Sequence, residues 1–390
     1  MKIALVHNRY LWRGGEDSVY ENESALLAGK GHEVVQFEMN NLETRKINPL
    51  QLGLGTTWSQ SSYKKLRSFF RTERPDVAHF HNTFPLISPA GYYAARAERV
   101  PVVQTLHNFR LLCANGIFYR DGHPCEACIE RTIAWPALRH KCYRNSRAAT
   151  GAIALMQTTH RAIGTWRRSV DRYIALTEFA RTRFSKGGLP SERIAIKPNF
   201  TPDTGCKPTA PPASPRFVFV GRLSEEKGIE TLINAWKKIP WPIDVYGDGP
   251  LQDKLQSAGL DTLTVHGAQP SDTVARAMRE ATALVVPSRW YEGFPMVVVE
   301  AYSQGLPIIA SKIGALGEIV RDGESGCHVK LADAEDLAEK VNWAAEHKVQ
   351  MHEMGLNARA TYERLYSPEV NYRQLHAIYL EAIETAKSAC

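Results

Sequence analysis

The chain has 390 residues, 44% of them hydrophobic, enough to bury two ordinary cores in the manner of a soluble α/β protein. Its formal charge of +7 is unevenly placed: residues 1–200 carry 29 Lys and Arg against 16 Asp and Glu, whereas residues 201–390 carry 19 against 25. No apolar run approaches the roughly 18 residues of a membrane span, and the few apolar residues ahead of His7 are too short for a secretion signal, so the expectation is a cytoplasmic chain.

In chain order, strand-like and helix-like runs alternate: strand Ile3 to Val6 and helix Glu16 to Gly29; strand Val34 to Phe37; strand Val77 to Phe80 and helix Pro89 to Arg99; strand Val102 to Leu106; strand Tyr173 to Leu176 and helix Glu178 to Ser185. Such alternation predicts a parallel, doubly wound sheet. A helix over Ala152 to Val170 is expected to carry Ile163, Trp166 and Val170 on one face, with Arg161 and Arg168 roughly opposite. Between Thr201 and Pro215 five prolines interrupt any regular element, which predicts a linker. A second series follows, with strands near Phe217 to Val220, Ile243 to Tyr246, Leu263 to Val265, Ala283 to Val286 and Pro307 to Ala310, and a last helix over Pro368 to Ala386.

The strand Ala283 to Val286 runs into Pro287-Ser-Arg-Trp-Tyr-Glu-Gly-Phe-Pro-Met-Val-Val-Val-Glu300, the most informative segment. Gly293 marks a turn and Pro295 a first helical position, so Glu292 belongs to the loop and Glu300 to the second helical turn. The free N–H groups of a helix start then lie between two carboxylates, which suits an anion. Were all eight steps helical, the carboxylates would be about 12 Å apart at ~1.5 Å per residue. Acid pairs of glycoside hydrolases need roughly 5 to 9.5 Å, which argues against hydrolysis and for a longer ligand with a diphosphate at its middle. Taken alone, two glutamates at this spacing are equally a pair of solvated charges.

Glu292-Gly-Phe-Pro with Glu300 resembles the E-x7-E motif of retaining GT-B glycosyltransferases, particularly family 4. Met1-Lys-Ile-Ala-Leu-Val-His, Gly14-Gly15-Glu16, Gly31-His-Glu-Val34, Asp76-Val-Ala-His-Phe-His-Asn82, Gly221-Arg-Leu-Ser-Glu-Glu-Lys-Gly228 and Gly247-Asp-Gly-Pro250 are similar to that family in the same order, over nearly the whole chain. The resemblance implies two Rossmann-like domains with an interdomain cleft. Residues 1–198, with a return helix at 367–390, would face the acceptor, and 199–366 would bind the nucleotide-sugar. It implies that Glu292 binds donor-sugar hydroxyls, that Glu300 holds the ribose, and that Gly293, Phe294, Pro295 and Met296 present backbone donors. His107, at the end of the Val102 to Leu106 strand, would contact the donor sugar near the acceptor; His79 and His81 are weaker candidates that structural hydrogen bonding explains equally well.

Arg222 and Lys227 stand between a strand and a helix, where both can converge on a diphosphate. Gly14 and Gly15 would let backbone N–H groups approach phosphate, and Gly247 would turn the chain beside the nucleotide. No Asp-x-Asp pair occurs, so no catalytic metal is expected and the two cations take its electrostatic place. The implied chemistry is transfer from a UDP- or GDP-sugar to a hydroxyl of a glycan or lipid-linked acceptor in cell-surface polysaccharide synthesis. The alternatives are a sugar-nucleotide epimerase of the same fold and an inactive glycan- or lipid-binding module.

Cys113, Cys125, Cys128 and Cys142 follow C-x11-C-x2-C-x13-C, a pattern able to offer four thiolates to a structural zinc; reduced thiols in an insertion are the rival reading. Residues 139–186 carry 11 basic residues against Asp171 and Glu178. An anionic surface is implied, and with no nucleic-acid-binding signature present the expected partner is the inner face of a membrane rather than nucleic acid.

Overall fold

The computed structural model describes residues 1–11, 14–203, 205 and 212–388. Part of the expected 201–215 linker, residues 204 and 206–211, therefore lies outside the described residues. The chain forms two compact units: Met1–Phe118 with Cys125–Pro198 and Asn371–Cys390, and Tyr119–Pro124 with Asn199–Val370.

In chain order the strands are β1 (Lys2–Arg9), β2 (Glu33–Asn40), β3 (Val77–Asn82), β4 (Val102–Thr105), β5 (Tyr119–Arg120), β6 (His123–Pro124), β7 (Arg172–Ala175), β8 (Ile194–Ile196), β9 (Phe217–Val220), β10 (Ile243–Tyr246), β11 (Leu263–Gly267), β12 (Ala283–Val286), β13 (Ile308–Ser311) and β14 (Gly326–Val329). The first unit's sheet has the order β2-β1-β3-β4-β7-β8, and every pairing is parallel. The central strands are apolar on both faces because helices cover both: Ile3, Ala4, Leu5 and Val6 of β1 have no exposed surface.

The second unit's sheet runs β11-β10-β9-β12-β13-β14, again parallel throughout. Phe217, Phe219, Val245, Ala283, Val285 and Ile309 pack from these strands against Leu232, Trp236 and Val341 of covering helices. In each sheet the strand order reverses beside the first strand, between β1 and β3 and between β9 and β12. Open parallel sheets bind ligands at the carboxyl ends of the strands flanking such a reversal.

Several elements differ from the sequence reading. The helix expected over 152–170 stops at Ala162, and the chain turns through Gly164 at φ 73° into a short helix Thr165–Arg168. Trp166 and Val170 are buried while Ile163 is 52% exposed, so these three side chains do not form one outward face. β8 and β14 are short, and no clear alternation announces them. Asp121 and Gly122, both at positive φ, close the β5–β6 hairpin as a two-residue primed turn, the signal that Asp-Gly carries. Among the described residues no helix is long and apolar enough to cross a membrane.

Candidate active site

In the second unit, three loops meet at the carboxyl ends of β9, β10 and β12. Two glycines permit the approach. A Cβ on Gly228, at φ 78°, would lie 1.9 Å from the carbonyl oxygen of Pro287, and one on Gly247, at φ 137°, 1.9 Å from that of Gly221. The Arg289 N–H donates to the Glu226 carbonyl at 2.8 Å, binding the loop after β12 to the loop after β9. The hairpin attaches to the same place: Tyr119 Oη donates to Glu225 Oε1 at 3.0 Å, and Arg289 Nη2 to the Gly122 carbonyl at 2.8 Å.

At this junction Glu292 is 5% exposed, and its Oε1 accepts from Lys227 Nζ at 2.7 Å and from Ser288 Oγ at 2.7 Å. Lys227 Nζ also lies 5.5 Å from the centroid of the Trp290 ring. With one oxygen satisfied by an ammonium and a hydroxyl, the second oxygen of this buried carboxylate remains an acceptor for a ligand hydroxyl. Ser288 and Trp290 were not singled out from the sequence; their position flanking Arg289, inside the segment that carries Glu292, is the signal that could have found them.

Arg222 is exposed; its carbonyl accepts from the Ser224 N–H at 3.0 Å, and its guanidinium makes no hydrogen bond or ion pair among the described residues. The helix Met296–Ser303 follows Pro295, which caps it rather than opening it, one residue later than expected. Phe294 is buried and packs edge-on to Tyr366, with centroids 5.8 Å apart, which fixes the turn ahead of that helix. Glu300 sits on the helix's second turn, where burial alone pushes its carboxyl above the usual carboxylate range. The structure thus joins Lys227 to Glu292 and leaves the Arg222 guanidinium without a partner among the described residues.

In the first unit, Gly14 caps the helix Gly15–Gly29, and its N–H donates to Asp17 Oδ2 at 2.9 Å. That N–H is therefore already engaged, and the expectation of a phosphate contact shifts to Gly15 and the residues after it. Asn108 Nδ2 and Tyr10 Oη donate to Glu16 at 2.7 and 2.9 Å, so the helix start is tied to the loop after β4. Next in that loop, His107 is 8% exposed and lines a cavity of about 50 Å³ with Asn82, Thr83, Asn108 and Arg110. Burial pushes His107 down to about 3, so it is a neutral imidazole at neutral pH. Its Nε2 is 3.1 Å from Nδ1 of His81, an alliance the sequence reading did not foresee.

Among the described residues, only Glu23, His79 and His81 bring three potential metal-ligating atoms within 4.8 Å of one another. No three of Cys113, Cys125, Cys128 and Cys142 do so, and Cys113 Sγ instead donates to Asn115 Oδ1 at 2.8 Å. The arrangement does not fit the four-thiolate zinc site that the spacing suggested.

Two parallel sheets, each with a reversal of strand order, and in the second a Lys–Glu pair beside that reversal, define a protein of the two-Rossmann kind. Comparison with known proteins agrees. A model for group 1 glycosyl transferases matches residues 207–361, and one for Glycosyltransferase Family 4 matches residues 12–203. Between them they span most of the chain, which belongs to the group 1, family 4 glycosyltransferases of GT-B fold. An uncharacterized glycosyltransferase of Methanocaldococcus jannaschii is 40% identical over 128 residues, 32% of this chain and 36% of that protein. In three such local matches the chain spans only 36%, 24% and 41% of the relative's length. The alpha-D-kanosaminyltransferase of Streptomyces kanamyceticus is 25% identical over 350 residues, 84% of each chain. Among solved structures, Anabaena HepE in complex with UDP-glucose is similar with a TM-score of 0.68 and 17% identity, over 96% of this chain and 99% of that one. This last likeness is one of fold.

Proposed function

We propose that the protein is a retaining glycosyltransferase that moves a sugar from a UDP- or GDP-sugar to a hydroxyl of a glycan or lipid-linked precursor in cell-surface polysaccharide synthesis. The observation that carries the reading is the Lys227–Glu292–Ser288 cluster, held by the Gly228–Pro287 contact at the strand reversal of the second unit. In this reading Glu292 accepts hydrogen bonds from donor-sugar hydroxyls. Lys227 and the exposed Arg222 face the diphosphate, where charge develops as the bond from the sugar's anomeric carbon to the phosphate oxygen breaks. The acceptor oxygen bonds to that carbon on the same face, and its proton passes to the departing diphosphate oxygen. No side-chain nucleophile and no metal take part, because the two cations stabilise the leaving group.

Glu300, whose carboxyl burial pushes upward, gains most from a partner and is read as the ribose contact. Gly15 and the following N–H groups of the first unit's helix start are read as a second phosphate contact, and His107 as the group beside the acceptor hydroxyl. Replacing Glu292 with Gln, or Lys227 with Ala, is expected to lower turnover of the sugar nucleotide by about 10²- to 10³-fold in a chain that still folds. Full activity in either variant would sink the assignment.

The acceptor is read as lipid-linked, and the protein as resting on the cytoplasmic face of the membrane. Ile133, Trp135 and Ile163 are about half exposed, at 56%, 48% and 52%, within a stretch rich in arginine; Arg167 and Arg168 are exposed as well. Basic side chains around exposed apolar ones suit an anionic lipid surface. Sedimentation with phosphatidylglycerol vesicles is expected for the protein and should weaken when Ile133 and Ile163 are changed to Glu. Undiminished binding would remove the membrane from the account.

A further inference from the structure

The first unit buries a chain of ionisable side chains that the proposed chemistry leaves unused. Lys197 Nζ lies 2.7 Å from Glu23 Oε1 and 3.3 Å from Asn371 Oδ1, and neither Lys197 nor Glu23 has exposed surface. The two form a buried ion pair, with Lys197 Nζ donating to Glu23 Oε1. The other oxygen, Glu23 Oε2, is buried without a hydrogen-bond partner and lies 3.5 Å from His81 Nε2, which is also buried without one. His79 Nδ1 is 3.7 Å from the same oxygen, but the two nitrogens of His79 are already matched, Nδ1 to Tyr379 Oη at 2.8 Å and Nε2 to Thr105 Oγ1 at 2.7 Å.

The protons can be placed from this geometry. Two lone pairs facing each other in a dry interior are repulsive, so His81 Nε2 carries a proton directed at Glu23 Oε2. Burial, with His79, His107, His7 and Lys197 around it, holds His81 well below the ordinary imidazole range, so it carries only that proton and its Nδ1 is bare. Bare Nδ1 is 3.1 Å from His107 Nε2, which must therefore be the donor. The His107 ring is stacked on His81 with 21° between planes, which leaves the neutral ring's own Nδ1 as a lone pair with no partner among the described residues. His7, the remaining neighbour, is held by Asp17 Oδ1 at 2.8 Å through its Nε2. A divalent cation among Glu23, His79 and His81 would sit against the Lys197 ammonium, which already supplies the positive charge there.

We propose that Lys197, Glu23 and His81 form a positioning relay that fixes His107 as the Nε2–H tautomer, so that its Nδ1 lone pair is the one offered to the acceptor hydroxyl. His81 and Glu23 touch no reacting atom in this account; they act through His107, and the role rests on reading His107 as the group beside the acceptor. In wrong-tautomer form the same ring would present an N–H and could not hold the hydroxyl as a hydrogen-bond donor in the ground state, before its proton turns to the departing diphosphate oxygen.

Glu23→Gln tests the relay with almost no change of shape. Lys197 would take the amide oxygen, leaving the amide NH₂ toward His81 Nε2. That nitrogen must then become an acceptor, and both imidazoles must move their protons to Nδ1. Long-range ¹H–¹⁵N correlation spectra of the ¹⁵N-labelled full chain at pH 7 read the tautomers directly, with His107 assigned by its disappearance in His107→Gln. The expected wild-type spectrum has Nε2 protonated and Nδ1 bare in both His81 and His107, and Glu23→Gln reverses both. Its kcat should fall by about 10²-fold or more, with the donor KM unmoved. A wild-type His107 protonated at Nδ1 would overturn the relay even if the variant does not fold, as would an unchanged His107 tautomer in a folded Glu23→Gln. A reversed tautomer with unchanged kcat would instead overturn the reading of His107 as the group beside the acceptor.

Discussion

The two units solve the placing of polar side chains in a dry interior by opposite means. In the second, Glu292 and Lys227 neutralise each other at the open ends of strands, on loops fixed by glycine, so the charges are paired but within reach of a ligand. In the first, His79, His81 and His107 descend into the sheet and are held neutral by burial, beside the Glu23–Lys197 pair, which is sealed from solvent, and the buried Asp17. The difference teaches where each half is vulnerable. One half depends on charge, and the other on which atom carries a proton.

The largest expected effect probes the sealed pair. Lys197→Met leaves Glu23 charged, buried and without its ammonium, and should cost about 3–5 kcal/mol. Adding Glu23→Leu should recover most of that loss, because the uncompensated charge is then gone. Denaturant unfolding of the single and double variants measures both, and additive losses would show that the pair is not coupled.

A smaller effect separates the histidines from the paired charges. The folded-state values of His79, His81 and His107 lie below the ordinary imidazole value of ~6.5, that of His107 at about 3. Below that ordinary value the unfolded chain takes up protons the native chain refuses. Their contribution is therefore fully present above about pH 6.5 and is lost as pH falls toward the native values. The melting temperature should drop by about several degrees between pH 7 and pH 5. An unchanged or higher value at pH 5 would contradict neutral burial of this cluster.

The same contrast explains what could be read from sequence. The partners at the second unit's site lie in two short segments, 221–228 and 287–300, whose strand–turn–helix pattern and residue types announce both position and chemistry. Glu292 in a loop and Glu300 in a second helical turn followed from Gly293 and Pro295 alone. The relay was not legible, because Lys197 is 174 residues from Glu23 and from Asn371, and only the folded sheet brings them together. His79 and His81 were visible as a strand-end pair, but two histidines do not disclose the carboxylate behind them. The Cys125-x2-Cys128 step misled for a related reason: spacing speaks for a short knuckle and says nothing of whether Cys113 and Cys142 arrive beside it. The helix expected over 152–170 failed at Gly164, whose left-handed conformation turns Trp166 and Val170 into the core.

The central claim is that Lys227 and Glu292 form a metal-independent site for a sugar nucleotide. Its most direct test is the melting temperature of the wild type and Lys227→Ala with UDP, GDP and their sugar conjugates, with and without magnesium, since a ligand that binds only the native state raises that temperature. The account predicts a rise with one nucleotide family in the wild type, the same with or without magnesium, and none in Lys227→Ala. No rise with any nucleotide in the wild type, or an equal rise in the variant, would contradict it.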